Sequence, residues 1–179
     1  FGQRLRLRVS EAPWDHEQDA SGNFVDVAAK NSETLAEECV QRIDDFLPYL
    51  PQILRGSQRQ GFAFGYRVGQ LAPEPRKIIG AALSALENIN SKEANGIVLG
   101  GILAGVQGRD SALVADTLNR VSASERLRPH LVGLTRAIRL EEEDLDRIVA
   151  LVLAGKLPLS DLQGLSNGRA LDAIKSAKV

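Results

Sequence analysis

The sequence predicts an all-α fold: a right-handed α-solenoid of helix–turn–helix units behind a short N-terminal β-hairpin or strand segment. Three observations predict it. The first thirty residues carry a strand-like alternation and turn-formers. From Asn31 onward the apolar residues recur at helical spacing instead. Beyond residue 60, three segments align without a gap. They begin at Phe64, Leu99 and Leu131, a period of about 32–35 residues, in the range of stacked helical pairs.

The β segment comes first. In "RLRLRV", Arg4, Arg6 and Arg8 alternate with Leu5, Leu7 and Val9, which predicts a strand with one buried face. The turn-rich "SEAPWDHEQDASGN" follows, then "NFVDV" at Asn23 to Val27, a second β-leaning run. The two runs are expected to pair as a hairpin with a long loop. Two strands alone are marginal in water, so residues 1–30 are expected either to pack on the helices behind them or, the favoured reading, to finish a sheet of an upstream domain. The chain starts at Phe1 and contains no Met, and a piece of a longer protein is the expectation.

Residues 31–179 are expected to form the helical repeat domain. In "SETLAEECVQRIDDFL" the apolar positions Leu35, Ala36, Cys39, Val40, Ile43, Phe46 and Leu47 form one stripe. Ser32 is the expected cap, and Pro48 and Pro51 the expected stop. Units are then expected from about residues 62, 96, 128 and 160. Leu71, Val106 and Ile138 close the first helix of each aligned unit. In the second helices Ile78, Leu113 and Leu145 make one column, and Leu83, Leu118 and Ala150 another. Pro75 suits a first helical turn, Asp110 a cap, and Glu141, Glu142 and Glu143 the positive end of a helix. A fourth unit is expected at Leu162, with "LQGLSNGRAL".

In layout these pairs resemble HEAT-like repeats over roughly residues 60–175. The fixed Trp, Gly, Tyr and Pro of tetratricopeptide repeats and the ankyrin "TPLH" are missing. The stretch "GFAFGYRVGQL", Gly61 to Leu71, resembles the entry to the helical region that follows the nucleotide-binding module of large bacterial STAND-type NTPases. That resemblance implies a sensor or oligomerisation segment of a signalling protein. The HEAT-like one implies recognition by an extended surface of stacked helices.

"GIVLGGILAGVQG", Gly96 to Gly108, looks most like a motif. No Lys-Ser/Thr follows its glycines, so it is not a phosphate-binding loop, and its spacing is wrong for a dinucleotide fingerprint. Its apolar run falls short of the ~18–20 residues of a membrane span. The spacing does place Gly96 with Gly100, and Gly101 with Gly105, on shared helix faces. Close approach of neighbouring backbones is therefore expected, and Gly100→Leu or Gly101→Leu should overpack.

Composition excludes several classes. Hydrophobic residues at 44% and charged residues at 25% mark a soluble globular chain. The net charge of −1 supplies no field for nucleic acid or an anionic membrane. The sole cysteine, Cys39, cannot form an internal disulfide and fits a reducing, cytoplasmic setting. It lies on the apolar stripe beside Glu37 and Glu38 and is expected to be a buried hydrophobe. "WDHEQD" gathers Trp14, Asp15, His16, Glu17 and Asp19, but adjacent loop side chains rarely converge, and a solvated loop is expected. Phe62, Phe64, Tyr66 and Arg67 could stack on a base or grip a peptide, but Phe62 and Tyr66 share a helix face while Phe64 points elsewhere, and core packing is expected. The aligned second helices carry Arg76 and Lys77, then Ser111 and Ala112, then Glu143 and Asp144. That reversal of sign counts against a nucleic-acid cradle.

No nucleophile with a base, acid–base pair or metal set assembles, so catalysis, a cofactor and a metal are not expected. The expected function is a protein-binding or regulatory scaffold. Its partner would be a protein or another domain of the same chain. Tyr66, Arg67, Arg76, Lys77, Ser84, Asn119, Arg120, Asp144 and Arg147 are the candidate contact residues. The rival readings are the sensor segment of a signalling NTPase and a nucleic-acid-binding solenoid.

Overall fold

The structure is a computed structural model that describes residues 1–12, 15–18 and 20–161. Trp14, Asp19 and the expected fourth unit from Leu162 lie outside the described residues. The chain is mostly helical with one small antiparallel sheet, as the all-α reading expects. No described helix is long and apolar enough to cross a membrane.

The N-terminus departs from the expected strand. "RLRLRV" is helical: α1 (Gly2–Leu5) runs directly into a wider π turn, Arg6–Ser10. A strand would bury Leu5, Leu7 and Val9 together. The chain instead buries Leu5 and Val9, four apart on one helix face, and leaves Leu7 exposed. Arg4 pairs with Glu38 at 2.8 Å, and Leu5 and Val9 join the main hydrophobic core. The hairpin forms elsewhere, between β1 (His16–Gln18) and β2 (Phe24–Asp26), with Glu17 opposite Val25.

Helix α2 (Val27–Gln41) starts earlier than the periodicity suggests. Asp26 caps it by accepting from Ala29 N at 2.9 Å. Ser32 is buried inside the helix and donates to the Ala29 carbonyl, so it is not the cap. The helix also ends before the prolines, at Arg42, whose φ of −127° and ψ of 52° break it. Helix α3 (Ile43–Phe46), a 3₁₀ turn (Leu47–Tyr49) and α4 (Leu50–Ile53) follow. Pro48 and Pro51 occupy opening positions of these turns, where a missing N–H breaks no ladder bond. They begin turns rather than stop a helix.

Three helical pairs come next: α5 (Gly61–Leu71) with α6 (Pro75–Asn88), α7 (Ile97–Gln107) with α8 (Ser111–Ala123), and α9 (Leu131–Ala137) with α10 (Glu142–Leu153). Pro75 opens α6, and Asp110 caps α8 through Leu113 N at 2.9 Å. Glu141 and Asp144 form a capping box on α10. Gly155, at φ +67°, lets α10 end in a Schellman turn, with Lys156 N donating to Leu151 O.

The first helices α2, α5, α7 and α9 lie side by side in chain order. Helix α6 packs against α4 and α7, α8 against α7 and α9, and α10 against α9. Ile78, Leu113, Leu83 and Leu118 are buried as the columns require. The third unit slips: Ala150 is exposed and Ile148 takes the core position. Leu71 is exposed as well, while Val68 and Ala72 are buried in its place.

Helix α7 is apolar on every face because it is covered on two sides. Its contact with α5 is the most extensive between any two elements. Glycines set the distance. A Cβ on Gly101 would overlap the Phe62 carbonyl oxygen and stand 2.8 Å from Tyr66 N. A Cβ on Gly105 would overlap the Tyr66 carbonyl and stand 2.8 Å from Gln70 N. Gly65 and Gly69 of α5 meet Val98 and Ile102 of α7 in the same way. Residue numbers rise together across this contact, so the helices run parallel, backbone on backbone. A Cβ on Gly100 would point the other way and stand 2.9 Å from Ala137 Cβ of α9. The two expected glycine faces of α7 therefore meet its two neighbours.

Turns tie successive pairs together. Arg109 donates to the C-terminal carbonyls of α5 at Gly69 (2.8 Å) and Ala72 (2.6 Å), a cation where the helix end is negative. The Gln107 amide bonds Arg139 N and O at 2.7 and 2.8 Å. Asn95 reaches back to Gly56 O at 2.7 Å, and Arg126 to Glu87 O at 2.7 Å.

Candidate functional site

The close approach of α5 and α7 has a consequence at the surface. Phe62 and Tyr66 lie one turn apart on α5, beside the glycine contact, and cannot enter it. Their rings stack, with centroids 6.2 Å apart and an interplanar angle of 17°. They stay 41% and 40% exposed. Phe64 points inward and meets Phe46 edge-on at 5.8 Å. The sequence expects core packing for this cluster, but only Phe64 enters the core, and Phe62 and Tyr66 stay partly outside it.

Next to the stack, a cavity of about 340 Å³ opens between α7 and α9. Phe62, Ile97 and Leu134 give it apolar walls, and Gly96, Gly100 and Gly133 its floor. Gly133 aligns with Gly101, but α9 stands farther from α7 than α7 does from α5. A Cβ on Gly133 would meet nothing within 4 Å. The same glycine column closes one interface and leaves the next one open. The polar lining groups are the Asn95 amide and the His130 imidazole. Burial holds His130 below the ordinary histidine value, which favours the uncharged ring. Such a groove can seat a side chain or a small apolar group by shape.

The candidate contact residues divide between this surface and internal ties. Tyr66 is in the stack. Arg67, next to it, donates to Glu37 of α2 at 2.6 Å. Arg76 and Arg120 are exposed on α6 and α8. Ser84 is exposed beside a second groove between α4 and α6. Lys77 pairs with Asp44 at 2.6 Å. Asn119, Asp144 and Arg147 come together: Arg147 donates to Asn119 Oδ1 at 2.9 Å and to Asp144 Oδ1 at 2.7 Å. Asp144 is only 6% exposed while Asn119 is exposed, and the trio links α8 to α10. Ile97, His130 and Gly133 were not among the candidates, although the aligned glycines Gly101 and Gly133 mark the column.

Among the described residues no three His, Cys, Asp or Glu side chains gather where they could hold a metal ion. Within "WDHEQD", His16, Glu17 and Gln18 form the exposed strand β1. Cys39 is fully buried. Burial, with the Glu38 charge adding to it, pushes its thiol up to about 12. The neutral thiol should therefore resist iodoacetamide at pH 8 and react at the rate of global unfolding. Labelling that is fast in native buffer and insensitive to denaturant would refute this.

The chain matches no family model, no curated protein and no solved structure.

Proposed function

We propose that this chain is a protein-binding scaffold: a right-handed α-solenoid of HEAT-like helical pairs that docks a protein partner or another domain of the same chain. The observation that carries this reading is the Phe62–Tyr66 stack beside the glycine-floored cavity. Two large aromatic rings held half outside the core, next to an apolar hollow, mark a recognition surface. The parallel first helices and the repeated turn-to-turn ties support the repeat architecture. The single buried thiol suits a reducing, cytoplasmic setting. The partner inserts an apolar side chain between α7 and α9 and lays its flank on the aromatic pair. Arg67 stands at the rim. Arg76, Ser84 and Arg120 add polar contacts where a partner extends over the second helices.

A photo-crosslinking residue at Tyr66 tests this in extract of the source cells. The expected result is one discrete protein adduct, absent when the crosslinker replaces exposed Asp116 on α8. Gly133→Leu should abolish the adduct by filling the cavity while the fold melts as the parent does, since nothing stands near that Cβ. Equal adducts from both positions, or an adduct that survives Gly133→Leu, would overturn the docking surface.

A further inference from the structure

The ion pairs formed among the described residues fall into two groups. Arg4–Glu38, Arg42–Asp45, Arg67–Glu37, Lys77–Asp44 and Arg147–Asp144 close at 2.6–2.8 Å. The two long ones are Arg6–Glu11 at 3.5 Å and Arg55–Glu93 at 4.0 Å. Both of their arginines line one cleft of about 440 Å³, between the Arg6–Ser10 turn and the chain that follows α4. Arg59 lines it too and donates a long 3.4 Å bond to the Ala12 carbonyl. A guanidinium carries five N–H donors. Here three of them converge on one hollow, held only loosely by the chain's own acceptors.

The walls that carry them are fixed. Gln60 N donates to Val9 O at 2.9 Å, and Arg59 N to Ser10 O at 3.4 Å. The Ser10 hydroxyl donates to Gln58 Oε1 at 2.8 Å, and the buried Gln58 amide donates to the Arg55 carbonyl. The arginines therefore project from a braced frame, which reduces the ordering needed to bind. Among the described residues, Glu11 is the one carboxylate in the lining. With Glu93 beside Arg55 counted as well, three cations face two anions and leave one positive charge, which favours a bound oxyanion.

We propose that this cleft is an oxyanion site that holds the phosphate group of a phosphomonoester, with Arg6, Arg55 and Arg59 as its donors. Guanidinium forks match phosphate oxygens in geometry as well as charge. The hollow exceeds a bare phosphate, and Gln52 and Ser57 offer polar contacts to the rest of the molecule. A nucleic-acid backbone fits less well, because Glu11 and Glu93 flank the arginines and would repel a continuous track of phosphates. The cleft lies on other elements than the α5–α7–α9 groove, so the two proposals stand or fall separately.

Calorimetric titration of the full chain with inorganic phosphate and with O-phosphoserine, at constant ionic strength, tests this. Saturable binding is expected, weakened about tenfold or more by Arg59→Gln or Arg55→Gln, each removing a charge-assisted donor. Arg136→Gln, which removes the same charge from the exposed face of α9, should leave it unchanged. Thermal melts confirm that the variants remain folded. A phosphoserine peptide that binds more tightly than free O-phosphoserine names a phosphorylated protein as the source. Equal binding names a soluble phosphometabolite, and either upholds the site. No saturation at about 10 mM phosphate, beyond ordinary weak affinity, overturns it. So does equal loss in Arg136→Gln, or displacement by a single-stranded oligonucleotide with a steep salt dependence.

Discussion

Gly105→Ala is expected to destabilise the fold by about 3 kcal/mol, the upper end of the usual overpacking range. The new methyl would collide with the Tyr66 carbonyl oxygen and crowd Gln70 N. Both are backbone atoms, so no side chain can rotate away. Relief requires moving α5 from α7, which loosens the Gly65, Gly69 and Gly101 contacts along the same seam. At about 2–4 °C per kcal/mol for a chain of this size, the melting temperature should fall by roughly 6–12 °C. Gly80→Ala is the matched control. It makes the same chemical change inside α6, where a Cβ meets nothing within 4 Å. It should raise stability by about 0.5–1 kcal/mol through helix propensity alone. The two leucine variants separate for the same reason: Gly101→Leu strikes the α5 backbone, whereas Gly100→Leu meets the Ala137 and Leu134 side chains and costs less. Urea melts of the four variants decide the matter. A Gly105→Ala protein as stable as its parent would mean that the seam is not backbone on backbone.

The helical pairs and their caps were legible because each rests on local chemistry. Pro75, Asp110 and Glu141 are signals confined to one helical turn, and tertiary packing had no reason to override them. The glycine faces of α7 were legible from spacing alone. The N-terminus was not. "RLRLRV" satisfies a period of two, but its Leu5 and Val9 equally satisfy a helical turn, and six residues cannot separate the periods. The tie was broken by α2, whose Glu38 and apolar stripe offered partners to Arg4, Leu5 and Val9. The prolines misled for a related reason: Pro48 and Pro51 report that a turn begins as readily as that a helix ends. The groove was half legible. The Phe62–Tyr66 pair could be read from i, i+4 spacing. The cavity depends on how far α9 stands from α7, and no residue pattern encodes that distance.

Asp144 is the sharpest case of a residue whose sequence reading and position diverge, and its variant separates the two. A charged residue in "EEEDLD" looks solvent-facing and available to a partner. In the fold its two carboxylate oxygens are occupied, one by Glu141 N at 3.1 Å and one by Arg147 at 2.7 Å. Arg147 in turn holds Asn119 of α8. Asp144→Ala therefore removes half of the capping box and strands an arginine whose side chain is only 14% exposed. The expected loss is about 2–3 kcal/mol, a missing cap plus a largely buried pair broken on one side. Because α10 packs mainly on α9, the loss should be local. Amide exchange should quicken across Glu142–Leu153 and leave the α5–α7 seam protected. Asp144→Asn keeps a cap acceptor but loses the charge, and should show roughly half the effect. If Asp144→Ala leaves α10 exchange unchanged, the internal strut is wrong, and Asp144 returns to the surface as a contact for a partner.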